Sequence, residues 1–268
     1  MRITSDGFEW LDEEMRRGFD GFCLTMVKGI SHVDLAVRLG AEPGGLMSAD
    51  TTREMLELSP GPWDLPELAM LGRTVDGWAF AIESPTASDH AYRLAPGRDL
   101  WSTHTVVRVS DSTMDPPVIS VTVDGEPDWM FAEYYSTRTD HPLTRRLSLG
   151  TGDVRMSDVY RAMGDHYGLS LPRQAITERL LPHAFTEPRV HIRALAACPV
   201  CGGRMIPHRG DPRKPDDLRL VCVFYKVRNA DGHPPEGCPG EIRGAALAGA
   251  IREEPNPKYA NIRMPDEE

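Results

Sequence analysis

Near the start of the chain, apolar residues recur at the spacing of a helix that buries one face. The recurring positions are Phe8, Leu11, Met15, Phe19, Phe22, Cys23 and Met26. Charged residues fill the opposite face, from Asp12 to Arg17. This pattern predicts an amphipathic helix over residues 8–27. Cys23 lies on the apolar face of that helix, where a buried and inert thiol is expected.

Capping residues delimit two shorter helices further along the chain. Ser31 opens a sequence that resembles a capping box, and Gly40 suits the position just past a helix end. We therefore expect a helix over residues 33–39. Ser157 and Gly168 bracket a second apolar-periodic segment in the same way, with Ser157 as the predicted N-cap.

Two Asp-Gly pairs separate apolar, β-branched runs, which is the typical pattern of β-hairpins. The first pair begins at Asp76 and the second at Asp124. Residues 103–109 alternate between β-branched and polar positions and predict a further strand nearby. These elements predict an antiparallel sheet over about residues 65–135 with helices before and after it, so the expected fold class is α+β.

Composition favours a globular protein of the cytoplasm. Of the 268 residues, 40% are hydrophobic, which is enough for a packed core. Residues 1–6 lack the apolar run of a signal peptide. Nowhere does the chain approach the roughly 20 consecutive apolar residues that cross a bilayer. We therefore expect a cytoplasmic location and no membrane partner.

Charge is distributed unevenly around a formal net charge of -10. Residues 1–190 carry 18 Lys and Arg against 29 Asp and Glu, whereas residues 191–252 carry 10 against 6. An acidic body repels a phosphate backbone, so nonspecific nucleic-acid binding by the whole chain is disfavoured. A local contact through the mildly basic segment stays open.

Four of the five cysteines lie in the last third of the chain and have the spacing of a metal site. They are Cys198, Cys201, Cys222 and Cys238. Thiolates are soft ligands, and four of them close a tetrahedral sphere, so the pattern predicts a structural Zn²⁺ rather than a catalytic one. Because 15 residues separate the last two cysteines, His208 or His233 stays open as a replacement ligand.

The cysteine spacing and the strand-like residues around it divide the chain into three predicted parts. Residues 1–188 form the α+β domain, and residues 189–252 form a small zinc β-ribbon module. A β-ribbon of this size has little hydrophobic core of its own, so a bound ion would stabilise it. Residues 253–268 are rich in Pro, Asn and acids and predict an extended or disordered tail.

The larger part resembles an actinobacterial domain family of unknown function. The segments that carry the likeness are residues 22–29, residues 35–41 with their Leu-Gly-Ala ending, and residues 77–83 with Gly-Trp-Ala. The likeness covers about residues 8–185. It implies an α+β fold and supplies no activity.

The cysteine segment is similar to the zinc β-ribbon of large serine recombinases. The likeness rests on residues 195–205, which hold the Cys-x-x-Cys knuckle, together with Cys222 and Cys238-Pro239-Gly240. That family's ribbon contacts DNA, so the resemblance implies a DNA contact here. The candidate phosphate-binding residues are Arg204, Arg209, Arg213, Lys214, Arg219, Lys226 and Arg228. A solvated basic face without a nucleic-acid partner is the open alternative.

These features favour a non-enzymatic accessory or regulatory protein that works by binding a macromolecule. The acidic body is expected to bind protein, and the zinc ribbon to bind protein or nucleic acid. The two resemblances together suggest a mobile-element or defence system. The same features also fit a structural subunit of a larger assembly, in which the ribbon serves for docking.

The enzyme alternative is a metal-dependent nuclease or hydrolase that uses acidic residues near the strands. The candidate acids are Asp111, Asp115, Asp124, Asp128 and Glu133. Hairpin turns and exposed strand faces explain these acids more simply. Six further histidines are scattered without a paired ligand motif, namely His90, His104, His141, His166, His183 and His191.

Overall fold

The computed structural model describes residues 6–14, 21–59, 61, 64–85, 87, 100, 103–112, 116–132, 135–136, 139–149, 154–209, 218–223 and 238–265. Its strands are β1 (Gly21–Lys28), β2 (Leu68–Arg73), β3 (Trp78–Glu83), β4 (Val106–Ser112), β5 (Val118–Val123), β6 (Glu126–Ala132), β7 (Tyr135–Ser136), β8 (His183–Phe185), β9 (Val190–Ala194), β10 (Met205–Arg209), β11 (Leu218–Cys222), β12 (Glu241–Ile242) and β13 (Ile251–Pro255). Its helices are α1 (His32–Leu39), α2 (Ala49–Leu58), α3 (Pro142–Arg146), α4 (Met156–Tyr167) and α5 (Arg173–Thr177), and 3-10 helices cover Gly244–Leu247 and Pro257–Asn261. The fold is α+β.

The main sheet has eight strands in the order β7-β6-β5-β4-β1-β3-β2-β8. β1 lies inside the sheet and pairs antiparallel with β3 on one side and β4 on the other. Both hairpins expected from the Asp-Gly pairs are present, as β2–β3 and β5–β6. Asp124 and the glycine after it both have positive φ, 50° and 87°, as a two-residue type I′ hairpin turn requires.

The prediction of one helix over residues 8–27 is wrong for the second half of that range. Residues 11–14 are helical, but Gly21–Lys28 forms the interior strand β1. Seven of the eight β1 residues are buried, because both faces of the sheet are covered. A strand buried on both faces has no polar alternation, so its apolar run also fits a helical period. Cys23 is buried, as expected, but on a strand.

Helices cover both faces of the sheet and create two hydrophobic layers. Large residues such as Phe22 and Phe80 face the layer that holds α4 and α5. Small residues such as Ala79 and Ala81 face α1, which packs on the opposite side through Leu35 and its neighbours. Large and small side chains alternate along β3, so one face of the sheet packs against α4 and α5 and the other face packs against α1.

The helix boundaries follow the capping signals, with one exception. Ser31 caps α1 by accepting a hydrogen bond from the main-chain N–H of Asp34, and Gly40 ends the helix with φ 117°. Gly168 ends α4 with φ 68°. The predicted cap at Ser157 is wrong, because α4 begins at Met156. Its N-cap is Arg155, two residues before Ser157, and it makes no side-chain cap bond.

The segment after residue 252 folds against the rest of the chain. Its first residues complete β13, which pairs with β9. Pro257–Asn261 follows as a 3-10 helix, and Tyr259 there donates a 2.6 Å hydrogen bond to the carbonyl of Glu187. The main-chain N–H of Arg263 bonds Ser59 Oγ at 3.2 Å. These contacts hold the segment in place.

Within the described residues, no helix is both long and apolar enough to span a membrane.

Candidate metal centre

Four cysteines come together where three short strands meet. Cys198 and Cys201 lie on the tight turn before β10, Cys222 ends β11, and Cys238 lies just before β12. The turn is closed by two main-chain hydrogen bonds, from Cys198 N to Gly203 O at 2.8 Å and from Gly202 N to Cys198 O at 2.9 Å. We call residues 194–209, 218–223 and 238–251 the four-cysteine module.

The sulfur positions suit one tetrahedral ion. Cys198 Sγ lies 3.6 Å from Cys238 Sγ, and Cys201 Sγ lies 3.5 Å from Cys222 Sγ. All four sulfurs lie within 4.8 Å of one another. A tetrahedral ion with metal–sulfur bonds of about 2.3 Å places its sulfurs about 3.8 Å apart, whereas a disulfide needs about 2.05 Å. The cysteines are free thiols that can hold a metal ion.

The main chain of the turn favours thiolate at Cys198. Burial alone raises the pKa of this thiol, but hydrogen bonds from the main-chain N–H groups of Cys201 and Val200 outweigh it and lower the pKa to about 7. The N–H of Val200 lies 3.4 Å from Cys198 Sγ. Donors aimed at a sulfur stabilise its negative charge, and thiolate is the form that binds metal.

Cys238 has the opposite tendency. A main-chain hydrogen bond from Gly240 lowers the pKa of Cys238, but burial and the neighbouring thiols Cys201 and Cys198 outweigh it, and the net pKa is raised. The pKa of one thiol in the cluster is thus lowered, while the pKa of another is raised. A cation at the centre removes this conflict, since it favours thiolate at every position.

Gly240 forms part of the wall of the centre. A Cβ at this position would lie 2.1 Å from Cys198 Sγ and 3.5 Å from Cys238 Sγ. No side chain fits there without displacing a sulfur. The carbonyl of Gly240 also accepts a 3.0 Å hydrogen bond from the main-chain N–H of Cys222. The Cys-Pro-Gly sequence therefore supplies a ligand and the space beside it.

His208 and His233 were the two possible replacement ligands for a cysteine. His208 is buried on β10 and stands opposite Arg219 in the β10–β11 register. In the described part of the chain, it does not belong to the group of close ligand atoms around the sulfurs. His233 lies outside the described residues.

Two of the candidate phosphate-binding arginines have described side chains. Arg204 is exposed beside the knuckle. Arg219 is only 18% exposed and pairs with Glu241, with 3.1 Å between Nε and Oε1 and without hydrogen-bond alignment. Arg243 pairs with the same carboxylate at 2.5 Å. The side chain of Arg209, and the whole of Arg213, Lys214, Lys226 and Arg228, lie outside the described residues.

The acids considered for a nuclease site have separate roles where they are described. Asp111 is fully buried on β4 and accepts a 2.8 Å hydrogen bond from Tyr160 Oη. Asp124 lies in the β5–β6 turn, where its carboxylate accepts a 3.2 Å hydrogen bond from Thr105 Oγ1. Asp115 and Glu133 lie outside the described residues.

Asp128 is different, because it belongs to a second group of potential ligands. Ligand atoms of Asp128, His141 and His166 all lie within 4.8 Å of one another. These residues come from β6, the N-cap of α3 and the last turn of α4. Their sequence separations match no local ligand motif, so tertiary structure alone brings the two histidines to the aspartate.

Comparison with protein-family models, with curated proteins and with solved structures gives no match. The chain is therefore classified by its fold and its site. It is an α+β protein with a large antiparallel sheet and a C-terminal four-cysteine cluster that can hold a metal ion.

Proposed function

We propose that this chain is a zinc-stabilised, non-enzymatic accessory protein whose four-cysteine module binds another macromolecule. The observation that carries the proposal is the closed set of four sulfurs, each within 4.8 Å of the others. Four thiolates occupy all positions of a tetrahedral Zn²⁺, so no position is left for substrate or water. A closed site of this kind stabilises a small module and does not catalyse a reaction.

Zinc is the ion that best fits these ligands. Thiolate is a soft donor, and a tetrahedral set of four sulfurs is the usual environment of structural Zn²⁺ or of iron–sulfur centres. The small core of the module supports a stabilising role, since it contains the cysteines and few large side chains, among them Met205 and Leu220. A bound ion contributes folding free energy to such a core.

Protein is the favoured partner. Near the knuckle, Leu195, Val200 and Val223 are exposed apolar residues, and Val200 is 59% exposed. Val200 lies on the tight turn between Cys198 and Cys201, where an exposed apolar side chain suits a protein contact. In contrast, Arg219 and Arg243 share the carboxylate of Glu241, which reduces their capacity for phosphate. Exposed Arg204 and the resemblance to a DNA-binding ribbon support nucleic acid as the alternative partner.

The metal part of the proposal is tested by replacing the ion with Co²⁺, whose bonds to thiolate give intense charge-transfer absorption. The full chain is expected to show this absorption, and Cys201→Ser is expected to weaken it because one sulfur is lost. Cys201 is exposed, so its replacement leaves the core packing intact. Cys23→Ala is the matched control and should leave the absorption unchanged. Full absorption in Cys201→Ser would contradict the four-sulfur centre.

The binding part is tested with the full chain at low salt. Fluorescence anisotropy with labelled duplex and single-stranded DNA is expected to show no binding if the partner is a protein. Salt-sensitive binding that Arg204→Ala weakens would assign nucleic acid as the partner instead. Purification from the native host, with identification of co-purifying molecules, identifies the partner. A divalent-ion-dependent hydrolytic activity would overturn the non-enzymatic assignment.

A further inference from the structure

Among the described residues, a second group of potential metal ligands lies outside the four-cysteine module, toward one end of the main sheet. Asp128 projects from β6, His141 caps α3, and His166 lies in the last turn of α4. Each residue is held by a different regular element, so the group depends on the tertiary fold. His141 is 6% exposed and Asp128 27%, while His166 is exposed. The group is therefore open to solvent on the His166 side.

We propose that Asp128, His141 and His166 bind a divalent transition-metal ion, separately from the four-cysteine centre. Two imidazoles and one carboxylate are a donor set that Zn²⁺, Fe²⁺ and Mn²⁺ accept. With three protein ligands and an exposed side, such a site has room for water or an exogenous ligand. The proposal does not depend on the proposed function of the four-cysteine module.

The distance between two of the ligand atoms is compatible with coordination of one ion. Asp128 Oδ2 lies 3.3 Å from His141 Nε2. The two groups are hydrogen-bonded at this distance, which is longer than the roughly 2.7–2.9 Å of a strong charge-assisted hydrogen bond. If both atoms bind one ion at about 2.1 Å, a separation of 3.3 Å corresponds to an angle of about 104° at the ion. That angle lies between the tetrahedral and octahedral values.

A neighbouring hydroxyl holds the carboxylate in position. Tyr167 Oη donates a 2.7 Å hydrogen bond to Asp128 Oδ2. Metal-binding carboxylates are commonly oriented by such outer hydrogen bonds, which raise affinity when they are present. Tyr167 follows His166 directly in α4, and their rings stack edge to face at 4.6 Å. The same turn of helix thus provides a ligand and the group that orients another ligand.

The cap of α3 provides a specific signal of ion binding. The main-chain N–H of Leu143 donates to His141 Nδ1 at 3.2 Å, and this bond requires the proton of a neutral ring to lie on Nε2. Coordination through Nε2 requires that proton to move to Nδ1, and the bond from Leu143 must open. The proton stays on the ring, so the change is one of tautomer. Ion binding is therefore expected to alter the start of α3.

The test measures bound Zn²⁺ per chain after chelator treatment, reloading and removal of excess ion. The full chain is expected to bind two ions and His166→Ala one, because His166 is an exposed ligand whose loss leaves the fold intact. His32→Ala is the matched control, since His32 on α1 belongs to no ligand group among the described residues. It should retain two. Equal stoichiometry in the full chain and His166→Ala would overturn the proposal.

Cobalt separates this site from the four-cysteine centre. The Asp128–His141–His166 site lacks sulfur, so its Co²⁺ spectrum has weak visible bands without thiolate charge transfer. His166→Ala is expected to lose those weak bands and to keep the charge transfer. Cys201→Ser should keep the weak bands and weaken the charge transfer. Tyr167→Phe should keep both sites and weaken the second about tenfold. An unchanged amide signal of Leu143 on ion addition would contradict coordination through His141 Nε2.

Discussion

Lys258 Nζ lies 3.0 Å from Oε2 of Glu187, a carboxylate whose side chain is only 2% exposed. The same oxygen accepts a 3.0 Å hydrogen bond from the main-chain N–H of Glu67, next to β2. One buried carboxylate thus connects the main sheet to the C-terminal 3-10 helix. Burial raises the pKa of Glu187, but hydrogen bonds from Lys258 and Glu67 outweigh burial and lower it.

We expect Lys258→Met to lower the free energy of unfolding by about 1–3 kcal/mol, because a buried carboxylate is left without its cation. Chemical denaturation at neutral pH measures the change. Arg252→Met is the control, since Arg252 is 60% exposed and lies 3.9 Å from Glu254. Its effect should stay within about 0.5 kcal/mol. Equal stabilities of Lys258→Met and the parent would contradict a stabilising role for the pair.

As pH falls, the free energy of unfolding should decrease through protonation of His183 before protonation of Glu187 contributes. Burial lowers the pKa of His183 from 6.5 to about 4. The unfolded chain therefore binds this proton more readily than the folded chain. The stability associated with neutral His183 is fully present above pH 6.5 and is lost as pH falls toward 4. A shift of this size corresponds to at most about 3 kcal/mol. His183→Gln should reduce the difference in stability between pH 7 and pH 4.5.

The matched control for this pH dependence is His32→Gln. The pKa of His32 is also lowered, by burial and by the charge of Arg73, but His32 is less buried than His183. Its replacement is expected to keep most of the pH dependence. If His183→Gln and the parent lose the same stability between pH 7 and pH 4.5, His183 is not the group responsible.

Local signals could be read from the sequence wherever neighbouring residues decide the structure. Ser31 and Gly40 delimit α1 because a cap depends on the few main-chain groups beside it. The Asp-Gly pairs predict both hairpins for the same reason. The cysteine cluster was predictable because one tight turn supplies two of its sulfurs.

Features set by tertiary packing could not be read in this way. β1 is buried on both faces by helices from distant parts of the chain, and this burial removes the alternation that identifies a strand. The approach of His141 and His166 to Asp128 depends on how α3 and α4 pack near β6. Glu187 likewise pairs with Lys258, which lies 71 positions away in the sequence. No local pattern reports such long-range contacts.

Gly240→Ala should weaken metal binding at the four cysteines at least about tenfold, or about 1.4 kcal/mol. The added methyl would lie 2.1 Å from Cys198 Sγ and must displace that sulfur. Competition with a chromophoric chelator measures the affinity. Gly249→Ala in the same module is the control, because a Cβ there meets nothing within 4 Å. Equal affinities of Gly240→Ala and Gly249→Ala would contradict the requirement for glycine.

Removal of the ion should unfold the four-cysteine module and leave the main sheet folded. The module's core is small, whereas the sheet has its own two hydrophobic layers. Hydrogen exchange after chelation is therefore expected to accelerate in β10 and β11 and to stay slow in β1 and β3. Readdition of Zn²⁺ should restore protection, which distinguishes ion loss from irreversible damage. Unchanged exchange in β11 would show that the module is stable without an ion, and uniform acceleration would show that the two parts unfold together.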